Sequence, residues 1–503
     1  MSEPVSSRPN ILFIMTDEQR YDAVGCYGNA QIQTPNMDAL AGDGVRFTHS
    51  YCPYAVCTPS RYSILTGLYV HQHRGRTNRS TPSELLETYP KALTRAGYRT
   101  KAIGKMHFTP TYLDVGFQRM ILAEQHGDGR LEDDYHRELR EAGLVDAVDL
   151  MDQVPEVRKR APQEYWDNFG ALVSDLPEEW HSTTWIGNRA VQELEGWKRC
   201  GSQMTVSFVK PHHPFDPPQA WADLYDPEKI DLLPGWTPES LERDLAFNQG
   251  FFPNRNLNAG IMRKITAYYY ATISQIDYQI GRMIDVLKRK GIYDNTMIVF
   301  TSDHGEFMGF HHMILKNNYY YDPVIRVPLI IKFPHQQYAG TVRDTLVNNV
   351  DLAPTMLAQA GVAPSNPMAG FDLTDGTNDR PYIFAEAGQG MMYMARSRTQ
   401  KLCLTRDPQK RLFTDLERDP LEMENLYNDR DYREAVLEHR EAISEWLMFD
   451  ALTPPCQNRF APCIRQMCPA CPPGECNSTH CQDRLQEMLH WFEEKAEPLL
   501  AGK

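Results

Sequence analysis

Short apolar runs rich in β-forming residues alternate with helix-patterned segments through the first three quarters of the sequence, and few architectures accommodate that order. Ile11–Met15, Val45–Tyr51, Thr100–Ile103, Thr205–Val209, Met297–Thr301 and Leu329–Phe333 read as strands. Helical patterns lie between them. One opens after Thr34-Pro35, one runs from Glu84 to Ala96 and stops at Gly97, one covers Trp185–Trp197, and a long one covers Ala259–Lys290 before Gly291. This alternation predicts an α/β fold, with a large mixed, mostly parallel sheet sandwiched by helices. In such sheets ligands collect at the carboxyl ends of the strands, so the residues that follow each strand are where chemistry is to be sought.

From Pro381 the pattern changes. Tyr382–Glu386, Met392–Arg396, Lys401–Thr405 and Leu412–Thr414 are closely spaced strand candidates, followed by a helix over Tyr432–Met448. That predicts a small C-terminal antiparallel sheet with one helix packed on it. The expected division is a catalytic α/β domain over 8–375, a small α+β subdomain over 376–450, and a cysteine-rich extension over 451–503 ending in a helix near Arg484–Lys495. The charged, weakly periodic stretch Gly127–Pro162 reads as a surface excursion over the sheet.

With 503 residues the chain can bury a large core, and a net charge of -14 argues against nucleic acid or an anionic membrane surface as partner, because both need a basic footprint. The N-terminal residues Met1–Asn10 are polar, and the apolar run Ile11–Met15 is too short for a signal-peptide core or a membrane span. The protein therefore reads as cytoplasmic and not membrane-bound, with cysteines that are reduced thiols, metal ligands or modified residues rather than a disulfide framework. In that setting the glycosylation sequons at Asn78 and Asn477 carry no meaning.

Two strands end in acids: Asp17-Glu18 after the first, and Asp303-His304-Gly305-Glu306 after Met297–Thr301. Carboxylates at the exits of apolar strands are costly unless solvated, paired or bound to metal, and ligands of this kind suit a divalent cation. Each alone is also what a turn-capping aspartate looks like. Cations follow other strands: Lys105 and His107 after Gly104, His212 and His213 after Pro211, and Lys316 soon after Asp303. With Arg61 they would line an anion pocket, since a divalent oxyanion held away from bulk water needs several positive donors.

The segment Cys57-Thr58-Pro59-Ser60-Arg61 joins these pieces. Its Cys-x-Pro-x-Arg pattern resembles the maturation signal of type I sulfatases, in which the cysteine is oxidised to formylglycine. Five segments stand in that family's order: Pro9-Asn10-Ile11-Leu12 leading to Asp17, Cys57–Arg61, Gly104-Lys105-x-His107, Pro211-His212-x-Pro214, and Ser302–Glu306 leading to Lys316. Arg326–Ile330 and Leu416–Leu426 match further family stretches, so the resemblance covers Arg8 to Met448. The chain is thus identified as resembling the formylglycine-dependent sulfatases of the alkaline phosphatase superfamily, close to the arylsulfatase and phosphonate monoester hydrolase branch. That resemblance implies an alkaline phosphatase-like fold, a sulfate ester substrate and a formylglycine-generating maturase as partner. It also implies one divalent metal, Ca2+ or Mn2+, held by Asp17, Asp303, His304 and modified Cys57, with Glu18 the weakest candidate ligand.

The remaining implied roles are these. Hydrated formylglycine at Cys57 attacks sulfur, Arg61 and Lys105 hold and neutralise the diol, and His107 is the base that collapses the sulfated intermediate. His212 and Lys316 bind the ester and supply charge or a proton to the leaving oxygen. Two positions depart from the family. Glu18 stands where many relatives have a second aspartate, and His304 stands where many have asparagine, which brings manganese into competition with calcium.

The rival reading is a phosphonate monoester or phosphodiester hydrolase of the same superfamily; Lys105 and His107 favour the sulfatase. A catalytically dead binding or structural protein on the same fold is the reading from another class, and it predicts an unmodified thiol at position 57 and no bound metal. In the tail, Cys468-Pro469-Ala470-Cys471 and neighbouring thiols read either as a zinc clip or as an arm packed on its own or a neighbouring subunit; the arm is favoured, with a homo-oligomer expected. Specificity is expected from Tyr21, Asn78, His213, Phe215, Phe310 and Asn317–Tyr321.

Overall fold

The structure is a computed structural model that describes residues 8–125, 127–245, 251–316, 319–374, 376–377, 379–449 and 490. Eight strands form the main sheet: β1 (Asn10–Asp17), β2 (Val45–Tyr51), β3 (Arg99–Gly104), β4 (Arg119–Leu122), β5 (Ser202–Pro211), β6 (Thr296–Ser302), β7 (Leu329–Lys332) and β8 (Thr341–Asn348). Their order is β4-β3-β5-β1-β6-β7-β2-β8. Every neighbouring pair is parallel except the two made by β7, which runs antiparallel to β6 and β2.

Helices cover both faces, as the apolar runs require. In β1, Leu12 and Ile14 point into one core while Ile11, Phe13 and Met15 point into the other. Burying each such side chain stabilises the fold by about 1.5–3 kcal/mol, so the central strands β1, β5 and β6, buried along their whole length, anchor the molecule. The helix Ala259–Arg289 lies against β5, burying Ile265, Tyr269, Ile273, Ile276, Ile280, Met283 and Leu287 at three- and four-residue spacing. The Asn258 side chain caps it by accepting from the Ile261 N–H, and the chain turns off at Gly291 with φ 65°.

The small sheet is antiparallel: β9 (Ile383–Ala387), β10 (Met392–Arg396), β11 (Gln400–Thr405) and β12 (Leu412–Asp415), in the order β12-β11-β10-β9. The helix Arg433–Met448 packs on β10 and β11. Its Trp446 is the joint to the rest of the molecule: the indole stacks on Phe384 at 4.6 Å and meets Tyr69 and His71 edge-on at 4.9 and 4.8 Å.

Three sequence expectations need correction. The helix predicted from Glu84 is confined to Tyr89–Arg95, because the Thr88 hydroxyl accepts from the Lys91 N–H and sets the start there. The stretch 127–162 is not a loose excursion but a set of short helices, Gly127–Glu132, Asp134–Glu141, Ala147–Gln153 and Pro155–Arg158, burying Tyr135, Leu139, Leu150, Met151 and Val157. Helices of four to eight residues are too short to display a 3.6-residue repeat, so only their capping acids, Asp133 and Asp146, signal them. Strands β4 and β8 were not anticipated. The cysteine-rich tail and its predicted helix, apart from His490, lie outside the described residues. Among the described residues no helix is long and apolar enough to cross a membrane.

Candidate active site

The parallel strands deliver their ends to one edge of the sheet. Register pairs Thr16 of β1 with Ser302 of β6, so Asp17 and Asp303 leave side by side, with the Asp303 N–H donating to the Thr16 carbonyl at 3.2 Å. On the other side β3 ends at Gly104, with φ 92°, where a Cβ would sit 2.0 Å from the Ser207 carbonyl oxygen. Only glycine lets the chain cross β5 so closely, and this crossing brings Lys105 into the same space.

The helix Cys57–Thr66 points its N-terminus at these acids, with Cys57 its first residue and all ten residues buried. Cys57 Sγ lies 3.5 Å from Asp17 Oδ1 and 3.3 Å from His304 Nε2. The Ser60 hydroxyl donates to the Asp303 carbonyl at 2.6 Å, and the Thr58 hydroxyl to the His107 carbonyl at 2.8 Å, tying the helix start to both strand exits. Arg61 Nε and Nη2 hold Asp303 Oδ2 and Asp17 Oδ2 at 2.8 and 2.9 Å, and Lys105 Nζ lies 2.8 Å from the same Asp17 oxygen.

These contacts sort the carboxylate oxygens. Each aspartate spends Oδ2 on Arg61 and keeps Oδ1 toward His304, whose Nε2 is 3.8 Å from both. The imidazole donates its Nδ1–H to the Gly305 carbonyl at 2.9 Å, which leaves the Nε2 lone pair facing the acids. One ligand atom each from Asp17, Cys57, Asp303 and His304 lies within 4.8 Å of the others. Carboxylate oxygens with one oriented imidazole fit a hard divalent cation.

Electrostatics follow from burial opposed by charge. Burial pushes the Asp17 carboxyl up, but Lys105 and Arg61 overcome it and hold Asp17 well below the usual carboxylate range. Burial, with Asp17 adding to it, pushes the Cys57 thiol far above its ordinary value, so as a thiol this residue is neutral and a poor nucleophile.

A second group sits beside the first. Glu18, with φ 69°, turns away from the four-atom cluster. Its Oε2 instead lies 2.6 Å from Lys316 Nζ and 3.3 Å from His212 Nε2. Burial pushes the Glu18 carboxyl up to about 7 against the pull of Lys316. His212 Nδ1 is engaged by the His213 carbonyl at 2.7 Å, and its ring stacks on that of His213 at 4.3 Å. The structure thus brings Asp17, Cys57, Arg61, Lys105, Asp303 and His304 into direct contact, with the His107 backbone carbonyl tied to the helix start by the Thr58 hydroxyl and Glu18, His212 and Lys316 forming the adjoining wall.

Of the specificity candidates, Asn78 accepts from the Thr58 N–H at 3.1 Å at the helix start, and His213 flanks His212. Phe215 and Phe310 are buried in the cores, as are Tyr319, Tyr320 and Tyr321, so none of these forms a recognition surface. Asn317 and Asn318 lie outside the described residues. Sequence reasoning missed Glu124 and Gln125, which follow the unforeseen strand β4. Glu124 accepts from the Met106 and His107 N–H groups at 2.8 and 3.0 Å, and Gln125 accepts from Lys105 Nζ at 3.2 Å. The strand-exit rule would have found both had β4 been recognised.

Residues 9–362 match the family described as Sulfatase, and residues 309–447 match N-sulphoglucosamine sulphohydrolase, C-terminal. The chain is 31% identical over 466 residues to an arylsulfatase of Clostridium perfringens, spanning 85% of this chain and 92% of that protein. It is 28% identical over 492 residues to an N-acetylglucosamine-6-O-sulfatase of Bacteroides thetaiotaomicron, spanning 88% of this chain and 86% of that one. The phosphonate monoester hydrolase of Agrobacterium radiobacter shares the fold, with a TM-score of 0.72 at 24% identity, covering 88% of this chain and 96% of that chain.

Proposed function

The chain belongs to the sulfatase family and is a sulfuric ester hydrolase, and we propose that it cleaves sulfate monoesters with residue 57, oxidised from cysteine to formylglycine, beside one divalent cation held by Asp17, Asp303 and His304. The observation that carries this reading is the convergence of Cys57 Sγ on Asp17 Oδ1 and His304 Nε2 at 3.5 and 3.3 Å, inside a buried shell closed by Arg61 and Lys105. When bound, calcium or manganese supplies Lewis acidity toward a sulfate oxygen and toward the hydroxyl of residue 57.

The side chains do the rest. Arg61 and Lys105 keep Asp17 ionised and neutralise charge on the oxyanion. The N-terminus of the helix Cys57–Thr66 turns its positive end to the same anion. His107, whose backbone carbonyl is tied to the helix start by the Thr58 hydroxyl, is the base that regenerates residue 57. His212 and Lys316 face the leaving oxygen and deliver the proton it requires, and Glu18 holds the pair together. Because Cys57 is completely buried and its thiol is neutral, the maturase that oxidises it acts before the chain has closed around it. We assign the catalytic unit to 8–375, the small subdomain to 376–450 and the extension to 451–503.

Mass spectrometry of the peptide containing residue 57, combined with turnover of an aryl sulfate, a phosphonate monoester and a phosphodiester by wild type and Cys57→Ala, tests the reading. The expected result is loss of the cysteine sulfur in active protein, with sulfate release abolished in the variant. Intact Cys57 in active protein, or phosphonate turnover far above sulfate turnover, would overturn it.

A further inference from the structure

Outward from the ester-binding wall runs a file of rings that ends in a cation. His212 stacks on His213 at 4.3 Å, His213 meets the Phe251 ring edge-on at 4.9 Å, and the Arg158 guanidinium lies over the face of Phe251 at 3.6 Å. The file is held rigidly. His213 Nδ1 is bonded to Asp152 Oδ2 at 2.6 Å, Tyr165 donates to Asp152 Oδ1 at 2.7 Å, and Gln125 and Gln153 both donate to the His213 carbonyl at 2.8 and 3.0 Å. Asp152, the acid within this file, therefore has both oxygens occupied.

Phe251 and Arg158 are both only partly buried, and Arg158 opens the basic run Arg158-Lys159-Arg160 on a chain whose net charge is -14. Stacking on the ring uses the flat of the guanidinium. Its N–H donors lie in the plane, where they suit a carboxylate or sulfate bound through two oxygens. The aromatic edge between His213 and Arg158 suits the apolar face of a sugar or aryl ring.

We propose that Arg158 and Phe251 form a second subsite that selects sulfate esters whose alcohol portion carries another anionic group, a carboxylate or a second sulfate. The proposal rests on the reading of His212 and Lys316 as the ester-binding wall. It deepens that reading by naming a substrate class: anionic sugars or anionic aryl alcohols rather than neutral or cationic ones. Arg158 is a specificity residue that touches the alcohol portion, away from the sulfur centre.

Non-hydrolysable sulfonates test it without turnover. Calorimetry on wild type, Arg158→Ala and Arg158→Glu with benzenesulfonate, 4-carboxybenzenesulfonate and the methyl ester of the latter compares ligands of similar shape that differ in the second charge. Wild type is expected to bind the carboxylate form about tenfold more tightly than the methyl ester, a usual size for one charge-assisted contact. Arg158→Ala should remove that preference and Arg158→Glu should reverse it. Phe251→Leu, which keeps an apolar side chain but removes the π face, should weaken the preference several-fold. Turnover of phenyl sulfate, 4-carboxyphenyl sulfate and its methyl ester gives the same ratios through KM, with kcat little altered; the leaving-group electronics are identical in wild type and variant and cancel. A carboxylate-to-ester ratio that is the same in wild type and Arg158→Ala overturns the subsite. Absence of ester turnover with the binding preference intact would instead overturn the proposed function.

Discussion

Replacing Arg61 by methionine withdraws a buried positive charge from between two buried carboxylates while keeping most of the side-chain length. The guanidinium holds Asp303 at 2.8 Å, Asp17 at 2.9 Å, the Lys105 carbonyl at 2.5 Å and the Ser207 hydroxyl at 2.9 Å. Lys105 remains as a partner for Asp17, so the loss falls hardest on Asp303, whose side chain keeps the Glu18 and His304 backbone donors at 3.2 and 2.9 Å on Oδ1 while Oδ2 loses its Arg61 partner. Breaking a buried pair by removing one partner costs about 3–5 kcal/mol, because the other charge is left uncompensated. In a chain this large that corresponds to a fall of roughly 3–5 °C in the melting temperature of metal-depleted protein. A divalent cation at the proposed site would place new positive charge beside the other oxygen of the same two carboxylates. The melting temperature of Arg61→Met should therefore rise more on adding calcium or manganese than that of wild type. Thermal unfolding with chelator and with saturating metal measures both effects. Metal-depleted Arg61→Met melting within about 2 °C of wild type, or a metal-induced shift no larger than that of wild type, would refute the reasoning. Turnover should fall by about 10²–10³ even in the metal-loaded variant, since the charge proposed to neutralise the oxyanion is gone.

Three further outcomes follow from the same structure. Gly104→Ala should lower stability by at least about 1–2 kcal/mol from the left-handed backbone alone, with more from the 2.0 Å approach to the Ser207 carbonyl, and should impair turnover by displacing Lys105; denaturant midpoints and kcat check both. Trp446→Ala empties the ring cluster that joins the C-terminal helix to Tyr69 and His71, at a cost of about 3–5 kcal/mol, and limited proteolysis should then cut the small subdomain first. Asp277 accepts from the Asn36 and Met37 N–H groups at 3.1 and 2.7 Å at the start of the helix Pro35–Asp43, and burial pushes its carboxyl up to about 6. A raised carboxyl binds its proton more tightly in the folded state, so its contribution is complete below about pH 4 and is lost as pH rises through 6. Unfolding free energies from urea titrations at pH 4 to 6 should fall in wild type relative to Asp277→Asn, by up to about 3 kcal/mol across the window.

How much of this was legible beforehand depended on whether a signal was local. The six apolar runs became strands β1, β2, β3, β5, β6 and β7 because each could satisfy its backbone only within a sheet and its side chains only between two helical layers. From that alone it followed that Asp17, Lys105, His212 and Asp303 would leave one edge, and the short Cys57–Arg61 motif marked what they would surround. Other features had no local signal. Glu18 has the chemistry of a metal ligand, yet with a left-handed backbone its carboxylate meets Lys316 and His212, a direction that residue type alone does not encode. The helices between 127 and 158 were too short to show a period, and β4, with four residues, too short to stand out. Arg158, His213 and Phe251 are far apart along the chain, and only the folded backbone stacks them. Amino-acid pattern determined which residues would be buried, which would cap, and which strand ends would carry charge. Tertiary packing decided where each charge points, because direction is a property of backbone geometry and neighbours rather than of residue type.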